Sequence, residues 1–396
     1  MSTSAAERRV YLDYASAWPL RPEAARAQRD AGEIAWADPS RRHSEARAAR
    51  DLLDRSSATV AEVLGAPEGG IVWTSSGTES IHLAVLGSLR AAIVRGDPRR
   101  HLVASAVEHS SVLRAVDRAC DELGATSTVV AVDRSGIVDA EEVVAAIRSD
   151  TLAVHLQHAN HEVGAIQPTH EVGASCRERG VLLHVDACQS VGQLGVTLDQ
   201  VGADLLSASS AKLGGPRGVG LLAVGPRGRI AALLVGDERQ RRRRSGMEDV
   251  AGIAGCAVAV RMAADRLDAE RSHRELLRRR LRERLPETVP DVEVHGPLAD
   301  AHPGIVAASA LYVDGEALVA ALDDRGFAVH SGSSCATTSG LPSHVLVAME
   351  ALTHGHVRVS VGPETTVEEI DAFLDAYGEA VEELRRTAGM GREVSG

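Results

Sequence analysis

Short apolar runs alternate with stretches of helical periodicity along residues 68–225. The runs at 70–74, 102–105, 127–132, 152–157, 181–185, 205–208 and 218–224 are rich in Val, Leu and Ala and predict buried strands. Apolar positions three and four apart predict helices between most of them, at 79–89, 140–147 and 172–179. Strands alternating with helices build βαβ units, so the expected fold class is α/β, a mostly parallel central sheet with helices on both faces. Ligands in such sheets gather beyond the carboxyl ends of the strands.

After Gly246 the pattern changes. An arginine-rich amphipathic stretch at 250–285 predicts one long helix, followed by a strand at 304–313, a helix at 316–323, a strand at 357–361 and a helix at 367–385. That is the signature of a smaller α+β unit. The expected division of the 396 residues is a large domain, 15–260, and a small domain made of 1–14 and 261–396.

No apolar run approaches the ~20 residues needed to span a bilayer. Residues 1–20 carry Glu7, Arg8, Arg9 and Asp13 where a signal peptide needs an apolar core. A cytoplasmic chain with no membrane contact is expected. The formal charge of −12 opposes direct nucleic-acid binding over most of the surface, the arginine run at 241–244 excepted. Five cysteines (Cys120, Cys176, Cys188, Cys256 and Cys335), with no C-x-x-C pair, argue against a disulfide framework or a metal site. The first four lie in apolar or helix-like stretches and read as buried, inert thiols.

Composition also singles out one amine: of 43 lysines and arginines, only Lys212 is a lysine. A guanidinium stays protonated, whereas a desolvated lysine becomes a neutral nucleophile that condenses with a carbonyl. Ser209, Ser210 and Ala211 precede it and Gly214, Gly215 and Gly218 follow, small residues that let a flat ring approach. Asp186 ends the run at 181–185, and a carboxylate there serves either as a strand-end cap or as partner to a protonated pyridine nitrogen. Gln189, three residues on, is placed to donate to a ring oxygen. Residues 71–80 pass from a strand through Thr74, Ser75, Ser76, Gly77 and Thr78 into a helix, which makes either an ordinary cap or a phosphate cradle. Cys335 sits in Ser331-Gly332-Ser333-Ser334-Cys335-Ala336-Thr337-Thr338, a tract with no bulky apolar residue, where an exposed reactive thiol is expected. Arg358, between strand apolars, is either a carboxylate clamp or half of a surface ion pair.

Together and in this order, these segments resemble the cysteine desulfurases, in class V of the pyridoxal-phosphate-dependent aminotransferases. The resemblance covers nearly the whole chain and rests also on Tyr11-Leu12-Asp13, Asp38-Pro39-Ser40 with His43, Glu108-His109, Glu162-Val163-Gly164 with Gln167-Pro168, and Gly215-Pro216-Arg217-Gly218. It implies fold type I, pyridoxal 5'-phosphate as cofactor, L-cysteine as substrate, a homodimer and a sulfur-acceptor protein as partner. Lys212 would hold the cofactor as a Schiff base and then move protons, and His109 would stack on the ring. Asp186 would hold the pyridinium nitrogen and Gln189 the ring oxygen, while Gly77, Thr78 and Ser209 would bind the phosphate. Arg358, Asn160 and His161 would contact substrate, and Cys335 would take the sulfur as a persulfide. The family's usual His, Thr and second Asn are replaced by Ala211, Met247 and His161. With the first two gone, an arginine of 241–244 is expected to reach the phosphate, across the dimer interface. Two other readings stay open: a lyase or transaminase acting on selenocysteine or another amino acid, and a noncatalytic scaffold with a degenerate cofactor site.

Overall fold

The computed structural model describes residues 9–332 and 342–389. Its strands are β1 (Val10–Tyr11), β2 (Ile71–Thr74), β3 (His101–Ser105), β4 (Thr126–Val130), β5 (Thr151–Gln157), β6 (Leu182–Asp186), β7 (Leu205–Ser209), β8 (Gly220–Val224), β9 (Val292–His295), β10 (Ile305–Ala310), β11 (Phe327–Ala328) and β12 (His356–Ser360). The main sheet has the order β2-β8-β7-β6-β5-β3-β4, parallel throughout except for β8, which is antiparallel to both neighbours. Every residue of β2, β3, β5, β6 and β8 is buried, which is why these strands read as apolar runs without alternation. The edge strand β4 is mostly exposed and opens on three polar residues, Thr126, Ser127 and Thr128.

The stretch at 250–285 is two helices, Val250–Asp265 and Leu267–Thr288, and not the single long one its periodicity suggests. Arg266 breaks the run at φ −104°, ψ 4°. The halves solve different packing problems. The first is apolar on nearly all sides and is buried against helices Pro22–Ile34 and Ser44–Leu64, whereas the second is polar and buries the single stripe Leu277, Leu281 and Leu285. That stripe joins Leu12, Val306, Ala308, Val357, Val359, Phe373 and Tyr377 in a second apolar core under the antiparallel sheet β12-β10-β9.

The N-terminal segment links the two sheets. β1 pairs in parallel with β11, Asp13 bridges to Ser360, and the Trp18 amide donates to the Ala211 carbonyl at 2.9 Å. Residues 13–18 are thereby laid across the carboxyl ends of β6 and β7. No helix among the described residues is long and apolar enough to cross a membrane.

Candidate active site

At the carboxyl ends of the parallel strands lies a cavity of about 430 Å³. Strand ends supply Gln157 from β5, Asp186 from β6 and Ser209 from β7; the first residues of the helix after β2 supply Gly77 and Thr78, and the turn after β3 supplies His109. Lys212 enters from the 3-10 turn Ser210–Lys212, and Arg358 comes from β12 across the cavity. Of the sequence-derived candidates, Lys212, His109, Gly77, Thr78, Asp186, Gln189, Ser209, His161 and Arg358 all line this one space.

Asn160 does not. Its side chain is fully buried and committed to backbone: Nδ2 donates to the Val107 carbonyl at 3.1 Å, and Oδ1 accepts the amides of Glu162 and Val163, each at 2.8 Å. Asn160 therefore shapes the turn that presents His161 and Glu162, a correction to the substrate contact assigned to it. Cys335 lies outside the described residues.

The Lys212 ammonium donates to the carbonyls of Ala15 and Ser16 at 2.6 and 2.8 Å. Burial, with Arg358 nearby, lowers its pKa to about 8, against the opposing pull of Cys188, Asp13 and Asp186. Neutral amine is thus accessible just above neutrality. Asp186 is buried, and Oδ1 accepts the Cys188 amide at 3.0 Å. His109 caps helix Ser110–Leu123, its Nδ1 accepting the Ser111 amide at 3.2 Å. Because a backbone amide only donates, the ring proton sits on Nε2. Burial lowers the pKa of His109, and of its edge-on neighbour His161 still more, so both rings are neutral near pH 7.

Arg358 is no surface ion pair. It is 4 % exposed, with Nη1 on the His161 carbonyl at 2.9 Å and Nη2 on Asp13 and Ser16 at 2.7 Å each, while Nε is buried with no hydrogen-bond partner among the described residues. Gln189 donates to the Ala15 carbonyl at 2.7 Å, and its Oε1 has no partner among the described residues. Gly77 starts helix Gly77–Val94, and a β-carbon there would lie 2.7 Å from Cys188 Sγ, so only glycine lets the helix start pack this closely on Cys188 and Ser209.

Several wall residues escaped the sequence reading. Cys188 was read as an inert core thiol, but it lines the cavity; burial and Asp186 keep it protonated by pushing its pKa well up. Cys120 is half-buried rather than buried, while Cys176 and Cys256 are buried. Ser16, Glu162, His330 and His344 also face the space. No periodicity marks them, since Cys188 and Glu162 lie in turns after β6 and β5, Ser16 in the N-terminal segment, His330 after β11 and His344 at the start of a short helix.

None of the four arginines at 241–244 lines the cavity of its own chain. Arg241 and Arg243 donate to the carbonyls of Glu68 and Gly69 at 3.3 and 3.1 Å, Arg242 pairs with Glu238, and Arg244 pairs with Glu79 at 3.0 Å. Gln240, Arg241 and Arg242 hold a left-handed turn, φ 49°, 58° and 62°. That turn lets the Gln240 amide pair with both backbone groups of Trp73 on the edge strand β2, at 2.6 and 2.9 Å.

Residues 10–373 match the family model described as aminotransferase class-V. Among curated relatives, the cysteine desulfurase IscS of Dictyoglomus turgidum is 35% identical over 382 residues, covering 96% of each chain. The IscS of Salmonella paratyphi B is 37% identical over 384 residues, covering 95% of this chain and 93% of its own. Among solved structures, a NifS-like protein superposes with a TM-score of 0.86 at 28% identity, covering 94% of this chain and 99% of its own. SspA in complex with cysteine superposes with a TM-score of 0.76 at 26% identity, covering 90% and 99%.

Proposed function

The chain belongs to the class-V aminotransferase family, within its cysteine desulfurases, and on that premise we propose that Lys212 holds pyridoxal phosphate while Cys335 takes the sulfur of L-cysteine. The observation that carries this reading is the single lysine, its amine lowered to about 8, in one cavity with Asp186, the Gly77–Val94 helix end and Arg358. The N-terminus of helix Gly77–Val94 in the cavity wall, with the Ser209 hydroxyl beside it, fits the phosphate of that cofactor. Pyridoxal phosphate, when bound, supplies an electron sink for the substrate's α-carbon.

The chain's own residues do the rest. Asp186 offers a buried carboxylate to a pyridinium, the first amides of Gly77 and Thr78 with the Ser209 hydroxyl offer donors to a phosphate, and His109 presents a neutral ring with its proton on Nε2. Lys212, released from the Ala15 and Ser16 carbonyls, gives and takes protons at Nζ. Arg358 orients the substrate carboxylate, and Cys335 accepts sulfur as a thiolate and hands it to an acceptor protein. The separate apolar cores support a division into residues 15–260 and 1–14 with 261–396, and a homodimer is the proposed assembly. Equimolar alanine and sulfide, formed from L-cysteine by the purified protein with pyridoxal phosphate and a thiol reductant, test the reading. No alanine would leave a scaffold, and activity on another amino acid alone would leave the lyase.

Arg358→Lys keeps the charge but loses the planar fork. A hydrogen bond to a charged group is worth about 1.5–3 kcal/mol, so KM for cysteine is expected to rise roughly 10- to 100-fold while kcat changes little. Steady-state kinetics check this, and an unchanged KM removes Arg358 from substrate binding.

A further inference from the structure

Glu162 and His356 face each other with Oε1 and Nε2 at 3.5 Å, in side chains only 4 % and 3 % exposed. Neither atom has any other hydrogen-bond partner among the described residues. On its far side the His356 ring meets Ser309, whose hydroxyl lies 3.3 Å from His356 Nδ1, 2.7 Å from His295 Nε2 and 2.8 Å from the Leu352 carbonyl. A carbonyl only accepts, so the one hydroxyl proton goes to Leu352, and both imidazole nitrogens must donate to the Ser309 oxygen. Neutral His356 then carries its proton on Nδ1 and turns the lone pair of Nε2 toward Glu162. An ionised carboxylate and a lone pair would repel at that distance, in a site too buried for either to be tolerated bare. The favoured resting arrangement therefore has one proton between them.

We infer that Glu162 and His356 form a dyad sharing one proton, in which Glu162 is the cavity's proton carrier for an incoming thiol and His356 is its positioning residue. This rests on the desulfurase reading, whose reaction needs a thiolate. Glu162 lines the cavity beside Gly332 and Ser343, which flank Cys335 in sequence, and a β-carbon at Gly332 would come within 2.8 Å of Glu162 Oε1. In the step, the thiol S–H bond breaks, its electron pair stays on sulfur, and the proton forms an O–H bond on Glu162; the reverse step returns it. No electrons are exchanged. Charged and titratable neighbours are Arg358 on β12, His295 on β9, His330 after β11, His161 on Glu162's own turn and His344 on helix His344–Ala348. Burial raises the Glu162 pKa to about 7 against the pull of Ser343 and Arg358, and it pushes His356 well down, which puts the shared proton on Glu162 in acid. The carboxylate becomes available as pH rises through about 7.

The test pairs two readouts on the holoenzyme. Infrared difference titration of parent against Glu162→Gln should show a protonated carboxyl lost with a midpoint near pH 7. His356→Gln replaces the lone pair by an amide donor, which favours the carboxylate and should lower that midpoint by about one unit or more. In steady state, Glu162→Gln should slow alanine formation by about 10²-fold or more and abolish the rate increase through pH 7. A carboxyl that titrates as an ordinary glutamate, or a Gln variant with the parent's rate and pH profile, overturns the dyad and leaves the desulfurase reading intact. A parent that makes no alanine overturns both.

Discussion

Lys212→Arg is expected to abolish covalent capture of pyridoxal phosphate and to lower turnover by about 10³-fold or more, since both nucleophile and proton carrier are lost. The guanidinium stays protonated, so it forms no imine with the aldehyde. No other lysine in the chain offers a substitute amine. In the parent, capture should quicken as pH rises through about 8, because the folded-state amine is depressed to that value and only its neutral form attacks. Borohydride reduction followed by peptide mass mapping reads both effects. A reduced cofactor adduct in the Arg variant would remove Lys212 from the account.

Cys335→Ser is expected to keep cofactor capture, and to lose sulfide release by roughly 10²-fold or more, because the thiolate is the nucleophile and a serine hydroxyl is scarcely ionised near neutrality. The described part of the cavity contains another thiol, Cys188, but burial beside Asp186 holds it protonated and poor as a nucleophile. Cys188→Ala should therefore leave sulfide release nearly as in the parent. Sulfide production by Cys335→Ser at the parent rate would make Cys335 incidental and favour a lyase.

Legibility in the sequence followed burial. β2, β5, β6 and β8 stood out because strands covered on both faces must be continuously apolar, and Asp186 and Ser209 were conspicuous as the polar residues that end such runs. Lys212 was legible for a different reason, as the one amine in an arginine-rich chain. The break at Arg266 was hidden, because two abutting helices share one periodicity until their separate packing partners are known. Asn160 was misassigned because proximity in sequence to His161 says nothing about which way a side chain turns; its amide satisfies the backbone of its own tight turn. The facing pair of Glu162 and His356 comes from a turn after β5 and from β12, far apart in the chain, so only the approach of the two sheets creates it.

Mass spectrometry of the parent after a single turnover with heavy-sulfur L-cysteine tests whether one lysine and one cysteine divide the chemistry. The peptide containing Cys335 is expected to gain one labelled sulfur atom, with one alanine released per sulfur, and to gain none in Lys212→Arg. Labelled sulfur released without any passage through Cys335, or labelling that persists in the Lys212 variant, would rule out that division of roles.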